Sequence, residues 1–219
     1  MGDAAQPGER VPPILGIAGG IGAGKSHVAA AFARRGWLVF DFDQLTREAL
    51  GAASVAQTLA QWWGPGVVTA AGEVNRQAVG RIVFADAVQR RRLEELIHPM
   101  VWRTRAQAIA AVRSARAPGV VFDAPLLFEA GLDAECDAVV FVEADQATRE
   151  ARVNASRGWS AEELGRRELA QMALEEKRRR CRFSVDNSGQ GPDLDGQVAE
   201  VIAMIFSSDG RGDPSSADM

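Results

Sequence analysis

Five short apolar runs punctuate the chain, each stopped by glycine, proline, aspartate or asparagine. "PILGIA" ends at Ala18, "WLVFD" at Asp41, "VVFDAP" spans residues 120–125, "DAVVFVEA" 137–144 and "FSVDN" 183–187. Runs of this length with such flanks predict strands, the first, second and fourth of them buried. "SHVAAAFARR", ended by Gly36, predicts a helix between the first two. Strand, loop, helix, strand is a βαβ unit, and it demands a parallel sheet. From Gln44 to Arg116 the period turns helical: "LTREALG", "VAQTLAQWW", "RQAVGRIVFAD" and a long stretch from Ala87 that Pro99 is expected to break. Gly64-Pro65-Gly66 marks a turn, and Pro118-Gly119 announces the third strand. Helices are predicted from Gln146 and from Ala161, the second opened by a Ser160–Glu163 capping box. A last helix is predicted from about Leu194 to Phe206. The pattern therefore predicts an α/β fold, five strands separated by helices, with a helical insert of about 44–117 and no internal repeat.

Composition narrows the class. A chain of 219 residues, 47% hydrophobic and 25% charged, suffices for one globular domain, here 13–206. Residues 1–12 and 207–219 are polar and are expected to be disordered tails. Cys136 and Cys181 are too few for a disulfide framework and fit free thiols in a reducing cytoplasm. No apolar run approaches the ~18 residues of a membrane span. The start lacks the apolar core of a secretory signal, and Gln6 stands where a myristoylation motif needs Ser or Thr. A net charge of −4 argues against nucleic acid as a partner. Of the 25 basic residues, only Lys25 and Lys177 are lysines. Lysine at position 25 thus suggests a site that needs a compact ammonium on a flexible stem.

That lysine closes Gly19-x-x-x-x-Gly24-Lys25-Ser26, a phosphate-binding loop pattern in its proper setting, strand before and helix after. Glycines let backbone N–H groups turn around a phosphate, and the helix N-terminus aims at the same anion. Lys25 can bridge the β- and γ-phosphates of ATP, and the Ser26 hydroxyl can ligate Mg²⁺. A bare glycine-rich turn is the bland alternative. No Asn-Lys-x-Asp guanine reader is present, which weighs against a GTP switch.

Ligands in open parallel sheets sit at the carboxyl ends of the strands. Asp41 and Asp123 end the second and third runs there. Asp41 can take a proton from a substrate hydroxyl, hold Mg²⁺, or merely cap a helix. Arg47, one turn on, can clamp a phosphate. Asp123 follows four apolar residues, a Walker-B-like delivery of a carboxylate toward metal. Nine arginines crowd residues 149–182, most of them expected on a solvated helix face. Arg152 and Arg157 are the candidates to reach a transferring phosphoryl group from a lid at about 145–180. Trp62 and Trp63 fit the core of the insert better than a ligand stack. His98, next to Pro99, is expected between two helical segments.

Taken together, "GGIGAGKS", "DFDQLTR", "HP", "DAPLLFEAGL" and "LEEKRRRCRFSVDNSG" closely resemble the dephospho-coenzyme A kinase family, in that order and spacing, over about Ile14 to Ile205. The resemblance implies a P-loop kinase core with a helical substrate-binding insert and a helical lid. It implies transfer of the γ-phosphoryl of ATP, with Mg²⁺, to the 3′-hydroxyl of dephospho-coenzyme A, the last step of coenzyme A synthesis. Gly20, Ile21, Gly22, Ala23, Gly24, Lys25, Ser26 and His27 would hold ATP, with Asn187 near its adenine. Asp41, Arg47, His98 and Asp123 would hold the acceptor, and Lys25, Asp41 and Arg152 would carry catalysis. Ser156 stands where many relatives have a second lid arginine, with Arg157 next along. Another small-molecule kinase, such as one for nucleoside monophosphates, or a non-catalytic nucleotide-binding protein remain the alternatives.

Overall fold

The computed structural model describes residues 12–115, 117–189 and 193–208. Of the expected tails, only Pro12, Ser207 and Ser208 fall within these residues. The strands are β1 (Ile14–Gly19), β2 (Leu38–Asp41), β3 (Val120–Asp123), β4 (Ala138–Glu143) and β5 (Phe183–Asp186). The helices are α1 (Lys25–Ala33), α2 (Phe42–Leu50), α3 (Ala53–Trp63), α4 (Arg76–Ala85), α5 (Ala87–Ala115), α6 (Gln146–Arg157), α7 (Ala161–Glu168), α8 (Leu174–Arg180) and α9 (Leu194–Ser208). Two compact units divide the chain: residues 1–40 with 112–219, and residues 41–111.

The first unit holds the parallel sheet, in the order β2-β3-β1-β4-β5. β1 pairs with β3, Ile14 beside Val120 and Ile17 beside Asp123, and with β4 on its other side. All four residues of β3 are buried, and so are five of six in β1, which is why these strands read as unbroken apolar runs. The chain works outward from β1 to one edge, returns as β3, then crosses to the far side as β4. That reversal sits at the carboxyl end of β1, where ligands of open α/β sheets bind. Leu15, Ile17, Val121, Val140 and Val185 from the sheet pack with Val28 and Phe32 of α1 and Val198, Val201 and Ile205 of α9. α9 runs on to Ser208, two residues into the stretch expected as tail.

The second unit is helical. Val55, Leu59, Val79, Ile97 and Val101 form its core. Trp62 and Trp63 pack on that core, as the sequence suggested, with Arg92 3.9 Å above the Trp62 ring and Trp63 Nε1 donating to Gln89.

Two expectations need correction. α5 is continuous through Pro99. The ring removes one backbone hydrogen bond, but Ile97 and Val101, four apart on one face, are buried on both sides of it and hold the helix in line. His98 therefore lies inside one long helix, exposed, and not between two. The sequence pattern does not delimit α8, since "LEEKRRR" reads as part of a solvated helix face and of the family resemblance. Glu175 and Glu176 in its first turn and four basic residues in its last suit the helix dipole. Among the described residues no helix is long and apolar enough to cross a membrane.

Candidate active site

The loop between β1 and α1 is drawn tight. Ala23 N–H donates to the Gly20 carbonyl at 3.2 Å, and His27 and Val28 N–H both turn back to Gly24. Gly24 adopts φ 86°, and a Cβ there would lie 2.2 Å from Asn187 Nδ2, so the position tolerates nothing larger than glycine. Lys25 Nζ donates to the carbonyls of Gly19 (3.2 Å) and Gly20 (3.1 Å), which holds the ammonium over the loop. Ser26 Oγ donates to Asp123 Oδ2 at 2.7 Å. Asp123 is 6% exposed, so the β3 carboxylate reaches the loop from within the sheet. This hydroxyl–carboxylate pair is the hard-oxygen donor set that suits Mg²⁺ beside nucleotide phosphates.

Arg152 and Asn187 brace the loop from the far side. Arg152 Nη1 donates to the carbonyls of Gly22 and Ala23 at 3.4 and 3.2 Å, and its Nη2 to the Asn187 carbonyl at 2.8 Å. The Asn187 side chain, 9% exposed, donates to Ala23 O at 2.7 Å. Arg157 points elsewhere, with its guanidinium 4.8 Å from the Trp159 ring, which Arg167 also covers at 4.1 Å.

Asp41 ends β2 and caps α2. Its Oδ1 accepts Gln44 N–H at 2.9 Å, and Oδ2 lies 3.7 Å from Arg47 Nη2. The helix cap, offered above as the bland alternative, is present, and Arg47 lies within ion-pair distance of the same carboxylate. Arg47 is exposed and the Asp41 side chain partly so. His27 is exposed on the first turn of α1, and Ile21 is half-buried in the loop.

A family model described as dephospho-CoA kinase (CoaE) matches residues 13–193. The chain belongs to the dephospho-CoA kinase family. The dephospho-CoA kinase of Symbiobacterium thermophilum is 41% identical over 191 residues, 87% of this chain and 79% of that protein. The dephospho-CoA kinase of Geobacter sulfurreducens is 37% identical, over 88% of this chain and 98% of its own length. The crystal structure of TT1252 from Thermus thermophilus superposes with a TM-score of 0.76 at 34% identity, covering 91% of this chain and 98% of that one. Membership makes the chain a kinase, with ATP as phosphoryl donor.

Two charged pairs in the dephospho-CoA kinase fold escaped the sequence reading. Lys177, 2% exposed, lies with Nζ 3.0 Å from Glu129 Oε1 and 3.1 Å from Gln171 Oε1. The same Glu129 oxygen accepts Met172 N–H at 2.8 Å. Burial raises the Glu129 pKa, but the Met172 N–H and the Lys177 ammonium outweigh it, and the net shift is downward. The signal was available: Lys177 is the only lysine besides Lys25, and the rarity argument applied to both. The other pair joins Arg149, 7% exposed, to Glu168 on α7. Arg149 had been grouped with the solvated arginines, and no pattern in the sequence set it apart.

Proposed function

We propose that the chain phosphorylates dephospho-coenzyme A on the 3′-hydroxyl of its ribose at the expense of ATP, giving coenzyme A and ADP in the last step of coenzyme A synthesis. The observation that carries the reading is the Ser26–Asp123 hydrogen bond at a lysine-closed phosphate loop, in a chain of this family. The loop backbone from Gly20 to His27 would cradle the ATP phosphates, and Lys25 would neutralise the β/γ edge. Ser26 and Asp123 would hold Mg²⁺, which when bound offsets charge on the phosphates. Asp41 would accept the 3′-hydroxyl proton as the oxygen bonds to the γ-phosphorus. The bond from that phosphorus to the bridging oxygen breaks, and ADP leaves with the electron pair. Arg47 and His98, in an insert of about 44–117, would hold the acceptor's phosphates or ribose.

Arg152 would stabilise the transferring group from a lid of about 145–180, and Asn187 would border the adenine. Its bonds to Gly22, Ala23 and Asn187 support Arg152 over Arg157 in that role. Catalysis here needs positioning and charge neutralisation, not a covalent enzyme intermediate. The reading expects a cytoplasmic protein.

The test is ATP turnover with dephospho-coenzyme A, with a panel of nucleoside monophosphates, and with no acceptor. We expect ADP release to depend on dephospho-coenzyme A, with the new phosphate located on the 3′-oxygen by phosphorus NMR. Turnover supported only by a nucleoside monophosphate, or ATP binding with no turnover on any acceptor, would overturn it.

A further inference from the structure

We propose that Arg149 is a positioning residue for ATP, a strut that fixes the entry of the phosphate loop and ties it to α7 through Glu168. This rests on the reading of the loop as the ATP site. Four observations converge on it. The Arg149 side chain lies against the loop: a Cβ on Gly20 would come within 2.9 Å of Arg149 Nη1 and 3.1 Å of its Cδ. The backbone of the same residue abuts Gly22, where a Cβ would fall 2.8 Å from the Arg149 carbonyl. The space a side chain would need at either glycine is thus taken by this one residue. Glu168 at the end of α7 pairs with Nη1, while the buried Nε finds no hydrogen-bond partner among the described residues. Finally, Gly20 and Arg149 line a cavity of about 540 Å³ at the carboxyl ends of β4 and β5, with Glu143, Arg178 and Asp186 on its wall.

That cavity sets what Arg149 has to do. On this side the loop is not backed by close-packed side chains. Something must span the gap if the backbone amides are to stay aimed at phosphate before ATP arrives. Arg149 does so from α6, three residues from Arg152, which bonds the loop's exit at Gly22 and Ala23. The two arginines, neighbours on one helix face, hold the two ends of one loop. A fork that is nine-tenths buried, with one nitrogen unpartnered, is a poor device for stability alone, since an apolar pair of similar volume serves stability at least as well. Its use is geometric: a preorganised loop loses less freedom on binding ATP.

The test uses the full chain and measures ATP affinity by equilibrium dialysis without acceptor, beside thermal melting. The double variant Arg149→Met, Glu168→Met keeps the volume and leaves no buried charge unpaired. We expect it to melt near the native temperature while ATP binds about tenfold more weakly. Arg149→Lys, which keeps a charge on a flexible stem, should recover part of that loss. An ATP affinity in the folded double variant within about twofold of native would overturn the strut and leave the pair a purely structural contact. Should the double variant not fold, Arg149→Lys alone decides: weakened ATP binding supports the strut, and native binding overturns it. Acceptor specificity does not enter this measurement, so a failure of the dephospho-coenzyme A reading shows separately, as native protein that binds ATP and does not turn it over with that acceptor.

Discussion

Lys25 places its ammonium 3.1–3.2 Å from two loop carbonyls, and on the function proposed above the ATP phosphates would meet it there. Lys25→Ala should fold and should lose at least ~100-fold in turnover, the scale of removing one preorganised donor from a developing anion. Steady-state rates at saturating ATP check it. Asp41 and Asp123 are distinguished by what they touch. Asp123 is buried and engaged with Ser26, whereas Asp41 is half-buried beside Arg47. Asp41→Asn should therefore cut turnover by ~10²–10⁴, the range for a lost general base, with ATP affinity little changed. Asp123→Asn should instead raise the Mg²⁺ concentration needed for half-maximal rate. If the asparagine at 41 turns over normally and the one at 123 does not, the base is Asp123. Arg152 bonds three carbonyls with a planar fork that lysine cannot copy. We expect Arg152→Lys to lower saturated turnover at least ~30-fold, a fraction of what a transition-state arginine supplies, and Arg157→Lys to do less. The positions of the loop, Lys25 and Ser26 were legible because a short motif fixes its own geometry, and Asp41 and Asp123 because each ends an apolar run. Lys177 carried a signal in its rarity that pointed to no partner, and Arg149 carried none, because their burial depends on partners 48 and 19 residues away (Glu129 and Glu168), which no local pattern reveals.

At the scale of elements, β1, β3 and β4 were legible because both their faces are buried and their apolar runs are continuous, whereas β2, expected as buried, and β5 lie at the sheet edges with Leu38 and Ser184 exposed and were marked by their flanking residues instead. α8 was not, since its seven residues are nearly all charged and its one buried side chain is Lys177. That lysine ties α8 and the α7–α8 turn to the segment after β3 through Glu129, Gln171 and the Met172 N–H. Lys177→Met leaves Glu129 without its cation. We expect a loss on the order of 3 kcal/mol, the lower end for breaking a buried pair, measurable by denaturant titration. pH should act through the same group. The folded-state pKa of Glu129 is depressed. Its contribution is thus fully present above the ordinary glutamate value and disappears as pH falls through the lower folded value. The gap in melting temperature between the native chain and Glu129→Gln should close on acidification and stay constant from neutral pH upward. A gap that persists unchanged in acid would show that Glu129 titrates no differently in the two states. Pro99 teaches the complementary lesson. A proline predicts a break only where the flanking turns are free, and here Ile97 and Val101 are not.

For the whole molecule, a ligand that binds only the folded loop must raise its melting point. ATP at 100 times its dissociation constant adds about 2.7 kcal/mol, or roughly 5–10 °C for a chain of this size. Lys25→Ala should abolish most of that shift at the same ATP concentration. Each of the two compact units also has an apolar core of its own. The distribution of tryptophan gives those cores an optical consequence. The chain contains no tyrosine, so its ultraviolet emission comes from five indoles alone. Trp37 sits in the core of the sheet, Trp62 and Trp63 pack on the helical core, and Trp102 is on α5. Replacing Trp62, Trp63 and Trp102 by Phe leaves fluorescence that reports the sheet unit only, and replacing Trp37 and Trp159 leaves the helical unit only. The two versions should show separate midpoints in urea, and coincident ones would mean that the units melt together. Trp159 is a third kind of reporter. Clasped by the guanidinium groups of Arg157 and Arg167 at the end of α6, its colour and brightness should follow any rearrangement of that helical corner when ATP is added.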